Sequence, residues 1–194
     1  MSNSGVFDVN DIRYLMDYQQ WSGVGTLELI ETKTISSSAS AIFTDIQENT
    51  YNVHFLTIND FQPTTDGSDL RIRFYENGVE ESASVYQYAY QYGTAGGSFG
   101  EVKSTGADHI RGTFNTGNST NEKSHSYVYF YNLGDSSKYS FTTHQGMTIS
   151  EVPTTYMFFG SGVLPQTSTV DQIKLYRGAG TFDCTASLYG IRYS

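Results

Sequence analysis

Tyr86, Tyr88, Tyr90 and Tyr92 alternate with smaller or polar residues in Ser84-Val-Tyr-Gln-Tyr-Ala-Tyr-Gln-Tyr92, and Tyr127, Tyr129 and Tyr131 repeat the spacing. A phenol ring has a flat apolar body and a polar hydroxyl. A row of such rings can stack on sugars, fill a core or meet another subunit. A period of two places each row on one face of a β-strand. Opposite the first row lie Val85 and Ala89, too small to build a rich core by themselves. Burial inside the domain or between subunits is therefore the expected use of both ladders, with ligand stacking as the alternative.

Other residue types carry less chemistry. His54, His109, His125 and His144 are scattered without the close spacing of a metal site. Asp66-Gly-Ser-Asp69 has oxygens that could meet calcium, but it lacks the longer acidic pattern of a dedicated loop and reads as a turn. No Gly-x-Ser-x-Gly elbow exists, and Gly160-Ser-Gly162 lacks its spacing. Glu80 and Glu81 adjoin a predicted turn, where solvation is the default for carboxylates. Cys184, the single cysteine, alternates in phase with Phe182, Ala186 and Leu188 and reads as a buried structural thiol. No catalytic, cofactor-binding or metal-binding residue is expected, and the chain is read as a non-enzyme.

Composition narrows the partners. A chain of 194 residues with 15% aromatics can bury one substantial core, and its net charge of −9 disfavours phosphate backbones and anionic membranes. No apolar run is long enough to span a bilayer. The first residues show neither a basic region nor an apolar stretch, so synthesis in a cytosol is expected.

The elements that must position these residues are strands. Segments beginning near Thr26, Ala39, Tyr51, Leu70, Ser84, Tyr127, Lys138, Thr155, Asp171 and Thr181 predict about ten of them, with a brief strand between Ala107 and Gly112. Asn77-Gly78 predicts a tight hairpin after Leu70-Arg-Ile-Arg-Phe74, whose alternation points Leu70, Ile72 and Phe74 inward. The Gly-, Ser- and Asn-rich stretch 93–126 predicts mostly exposed loops, suited to carrying binding contacts. Together these predict an all-β, antiparallel two-sheet sandwich, jelly-roll-like, over 23–194. Residues 1–22 read differently. Ile12, Leu15, Met16 and Gln19 fall on one stripe of a short helix, too short to stand alone in water. With Phe7 they predict an anchoring arm that docks on its own domain or on a neighbouring protein.

Several phrases resemble a family of short virion structural proteins from tailed bacteriophages, frequent in phages of marine bacteria and cyanobacteria. They are Leu29-Ile-Glu-Thr-Lys-Thr-Ile-Ser-Ser-Ser-Ala-Ser-Ala-Ile-Phe-Thr44, Tyr51-Asn-Val-His-Phe-Leu56, Pro63-Thr-Thr-Asp-Gly67, Leu70–Phe74, Tyr129-Phe-Tyr-Asn-Leu-Gly134 and Gly180–Ile191. The last departs at Cys184-Thr-Ala186, where the family has a Gly-Thr-Ile-like stretch. The resemblance covers about 27–191 and is weakest over 93–126. It implies a β-sandwich on the outside of a virion, made in the host cytoplasm: a tail-fibre or tail-associated protein, or else a capsid decoration. In that setting the arm is expected to attach to other virion proteins and the chain to assemble with copies of itself (a trimer fits), while the tyrosine ladders leave a host-surface glycan as the alternative contact.

Overall fold

The computed structural model describes Asn10 and residues 27–191. The anchoring residues Phe7, Ile12, Leu15 and Met16, and the helix they were read to form, lie outside the described residues. Among the described residues there are thirteen strands: β1 (Leu27–Ser38), β2 (Ser40–Phe43), β3 (Val53–Pro63), β4 (Arg71–Glu76), β5 (Val79–Glu80), β6 (Tyr86–Thr94), β7 (Phe99–Ala107), β8 (Ile110–Arg111), β9 (Ser124–Tyr131), β10 (Ser140–Ile149), β11 (Thr155–Leu164), β12 (Val170–Tyr176) and β13 (Phe182–Ile191).

They form two sheets. The larger has the order β1-β13-β3-β9-β10-β11-β6-β7, the smaller β2-β12-β4-β5, with β8 paired to the first residues of β4, Arg71 and Ile72. Every named pair is antiparallel. The core lies between the sheets. Leu56, Ile58, Val128 and Phe130 from the large sheet meet Phe43, Ile72, Phe74, Ile173 and Leu175 from the small one. The alternation in β4 points as its sequence predicts, with Leu70, Ile72 and Phe74 fully buried. Asn77 and Gly78 have φ of 51° and 78°, the positive values that a two-residue hairpin needs to match strand twist. Cys184 is buried in the core, and burial pushes its thiol up to about 12, so it remains protonated and inert.

The stretch 93–126 differs from its reading as loop. Phe99–Ala107 is a nine-residue strand, β7, at the edge of the large sheet. Its glycines hid it, since glycine weakens strands. At Gly100 the absence of a side chain is needed: a Cβ there would collide with the ring of Tyr92 on β6. The segment after β8 is packed as well. Thr113 and Thr116 are buried, and Thr116 bridges Ser68 and Ser150. Phe114 stacks on Tyr92 at 4.7 Å and touches Tyr156 at 5.7 Å. This segment covers the inner side of β6 and β11.

Candidate interaction surface

The two tyrosine ladders lie on opposite faces of the same large sheet. The β6 ladder turns inward. Tyr86 is fully buried; its Oη accepts the Phe74 N–H (3.0 Å) and its O–H donates to the Glu81 carbonyl (3.1 Å). Tyr90 is buried too, donating to the Arg111 carbonyl at 2.5 Å and meeting the His144 ring edge-on at 4.4 Å. Tyr88 and Tyr92 are half-buried, against His109 and Phe114 respectively. The hydroxyls of the two buried rings, Tyr86 and Tyr90, find partners as buried phenols require.

The β9 ladder turns outward. Val128 and Phe130 take the core side, which leaves Tyr127, Tyr129 and Tyr131 on the outer face; Tyr127 is 38% exposed. Within one chain this ladder is not enclosed, so its burial would require a second molecule. It belongs to a larger patch. One register row crosses the whole sheet: Leu29, Tyr189, Phe55, Tyr129, Thr143, Ser161, Ala89 and Lys103 stand opposite one another in succession. Phe55 links the aromatic half, its ring 4.7 Å from Tyr129, 5.8 Å from Tyr127 and 6.1 Å from Tyr189. Tyr129 stacks on Tyr131 at 6.4 Å.

On the other half, β10 and β11 contribute Phe141, Met147, Met157 and Phe159, each between 43% and 51% exposed, and β7 adds Phe99 at 83%. Small residues leave hollows between these ridges. A hollow of about 620 Å³ is floored by Ala89 and Ser161 and flanked by Phe141 and Val163. A second, of about 380 Å³, lies between Met157, Phe159 and Phe99.

Charge is kept to the margins of this face. The outward positions of β9, β10 and β11 from Tyr127 to Tyr131, Phe141 to Met147 and Thr155 to Val163 contain no charged residue. Glu101 and Lys103 pair with one another on the edge strand β7. Asp60, Lys123 and His125 cluster at one end, with Lys123 3.4 Å from Asp60. An uncharged apolar centre inside a polar rim is the composition of a protein–protein contact, and soluble chains seldom leave so wide an apolar face open.

The remaining candidates separate. Glu80 accepts from Arg73 (2.8 Å) and Lys174 (2.7 Å), while Glu81 accepts from Gln166 (3.1 Å), so the two carboxylates do not act on one point. Asp69 accepts the Asn115 N–H (2.8 Å) and Asp66 that of Asn118 (3.1 Å); both brace the turn. Among the described residues, no group of three His, Cys, Asp or Glu side chains could hold a metal. His54 and His144 are buried apart, His109 donates to the Asp108 carboxylate at 2.6 Å, and His125 is on the surface. Sequence reasoning missed Phe55, Tyr189, Phe141 and Phe159 as parts of one surface. The in-phase spacing of Phe141 with Met147, and of Met157 with Phe159, was the available signal.

No family model matches this sequence, and no curated protein is detectably similar to it.

Proposed function

We propose that the chain is a non-enzymatic structural component of a tailed-bacteriophage virion, a tail-fibre or tail-associated surface protein that assembles with copies of itself. The open, uncharged outer face of the large sheet carries this reading. Seven strand-to-strand steps of about 4.8 Å make the face roughly 34 Å wide. With strands of eight to twelve residues, its area reaches the roughly 800 Å² per partner of a standard interface. A chain with net charge −9 repels its own copies except through a surface where charge is absent or paired, as here. The repeated crossing of the chain between sheets suits a jelly-roll-like winding, and the phrase-level resemblance supports the virion setting. The arm around Phe7, Ile12, Leu15 and Met16 attaches the subunit to a neighbouring virion protein. Capsid decoration is the alternative placement.

Antibody labelling of intact particles tests the placement: label on tails or fibres supports it, label on heads selects the decoration reading, and particles without the protein overturn both. Deleting residues 1–22 should leave a folded domain by circular dichroism that no longer enters particles. A second reading, binding of a host-surface glycan, rests on the hollow beside Phe141, and binding on a glycan array that Phe141→Ala abolishes would favour it.

A further inference from the structure

Arg71, Arg73, Arg111 and Arg177, four of the six arginines in the chain, converge at one end of the small sheet. Arg71 stands opposite Arg111 in the β4–β8 pair and opposite Tyr176 in the β4–β12 pair, and Arg177 follows Tyr176 directly. Two of the four are neutralised. Arg73 pairs with Glu80 and Asp108, and Arg111 with Asp69 at 3.0 Å. The other two have no carboxylate within salt-bridge distance among the described residues.

Arg177 is 8% exposed, yet its guanidinium meets only neutral acceptors, the Thr181 carbonyl at 3.1 Å and the Ser68 hydroxyl, and its Nε has no partner. Burying a guanidinium without an anion is costly, and a second cation beside it adds to the cost. Burial, and then the charge of Arg71, lower the proton affinity of Arg177, while the charge of Asp69 opposes them. In the loop that follows Arg177, Gly178 and Gly180 stand against the two guanidiniums without side chains of their own. Arg71 lies against Gly178, where a Cβ would collide with its guanidinium. At Gly180, φ is 75°, and a Cβ would come within 2.9 Å of the Thr64 hydroxyl, 3.1 Å of the Thr65 hydroxyl and 3.3 Å of the Arg177 guanidinium.

We propose that Arg71 and Arg177, with the hydroxyls of Ser68 and Thr65, form a binding site for one small oxyanion, a phosphate or sulfate ion. Guanidinium forks match the oxygen spacing of such ions, and hydroxyls supply the remaining donors. The net charge of −9 turns away large polyanions while leaving this local excess of cations to hold a single ion. The ion would reinforce the contact between the Pro63–Gly67 turn and the loop between β12 and β13, which Thr64 and Thr181 already join by hydrogen bonds. This inference is independent of the assembly reading.

Thermal unfolding of the full chain in chloride, sulfate and phosphate at equal ionic strength tests it. The melting temperature should rise saturably with sulfate or phosphate and not with chloride. Arg71→Gln, at a half-exposed position, should weaken half-saturation by about tenfold or more, and Lys103→Gln on the distant face should leave it unchanged. Arg177→Met should behave like Arg71→Gln; if it fails to fold, Arg71→Gln decides. A wild-type response no larger than that to chloride, or a response in Arg71→Gln equal to wild type, overturns the proposal.

Discussion

Phe55 and Tyr129 face one another across the β3–β9 ladder with ring centroids 4.7 Å apart, on the side of the sheet turned away from the core. Cross-strand aromatic pairs of this kind stabilise a sheet. Here the pair also anchors a patch that reaches from Leu29 on β1 to Phe99 on β7, and it sets the first prediction.

Charge placed at the centre of that patch should abolish self-assembly without unfolding the domain. Phe159→Asp combined with Phe141→Asp removes two half-exposed rings. Surface changes of this kind typically shift stability by about 0.5 kcal/mol or less. Light scattering coupled to size exclusion should report a monomer for the double variant and a larger species for wild type. Identical masses for the two would remove the face from the assembly.

The two ladders should respond differently to loss of a hydroxyl. Tyr86→Phe leaves the Phe74 N–H and the Glu81 carbonyl without their partner inside the domain. The expected cost is about 1–3 kcal/mol. Tyr127→Phe breaks only an exposed bond to Gln145 (2.9 Å) and should cost about 0.5 kcal/mol or less. Urea unfolding of the two variants measures the contrast, and equal losses would contradict the opposite facing of the ladders.

Acid should weaken the domain through His144. This imidazole is buried with no partner on either ring nitrogen, and burial pushes its pKa down to about 4 from an ordinary 6.5. Between those values the unfolded chain binds the proton and the folded chain does not. Stability is therefore complete above about pH 6.5 and falls as the pH drops toward 4, by about 3 kcal/mol over the window. Burial lowers His54 and His109 in the same direction. His144→Met should flatten the dependence of the urea midpoint on pH between 4 and 6.5; an unchanged slope would assign it to other groups.

Insertions into the 93–126 stretch should separate by position. Gly96 and Gly97 form an exposed hairpin tip between β6 and β7, and a short tag there should leave the melting temperature unchanged within about a degree. Asn118 donates its N–H to Asp66 at 3.1 Å, and its carbonyl accepts from Gln62. The same tag after Asn118 should lower the melting temperature by several degrees, about 1–2 kcal/mol in a chain of this size. Equal tolerance at both positions would show that the 113–122 packing contributes little.

The sequence by itself determined the strand class, the phase of each alternating run and the Asn77-Gly78 hairpin, because backbone sterics and a period of two act within a few residues. It also marked Leu70, Ile72 and Phe74 as inward, since Arg71 and Arg73 on the other side leave one choice. The same logic could not rank Tyr86–Tyr92 against Tyr127–Tyr131. A run of tyrosines can sit on either face, and which face is covered depends on where the small sheet and the Phe114 segment come to lie. Tertiary structure made that decision: the inner side of β6 is closed by Phe74, His144 and Phe114, while nothing in the described chain covers Tyr127. It also revealed β7, whose glycines leave room for Tyr92, and brought Arg71 beside Arg177 from positions far apart in the chain. Such pairings depend on distant segments meeting across two sheets, and no local spacing encodes them.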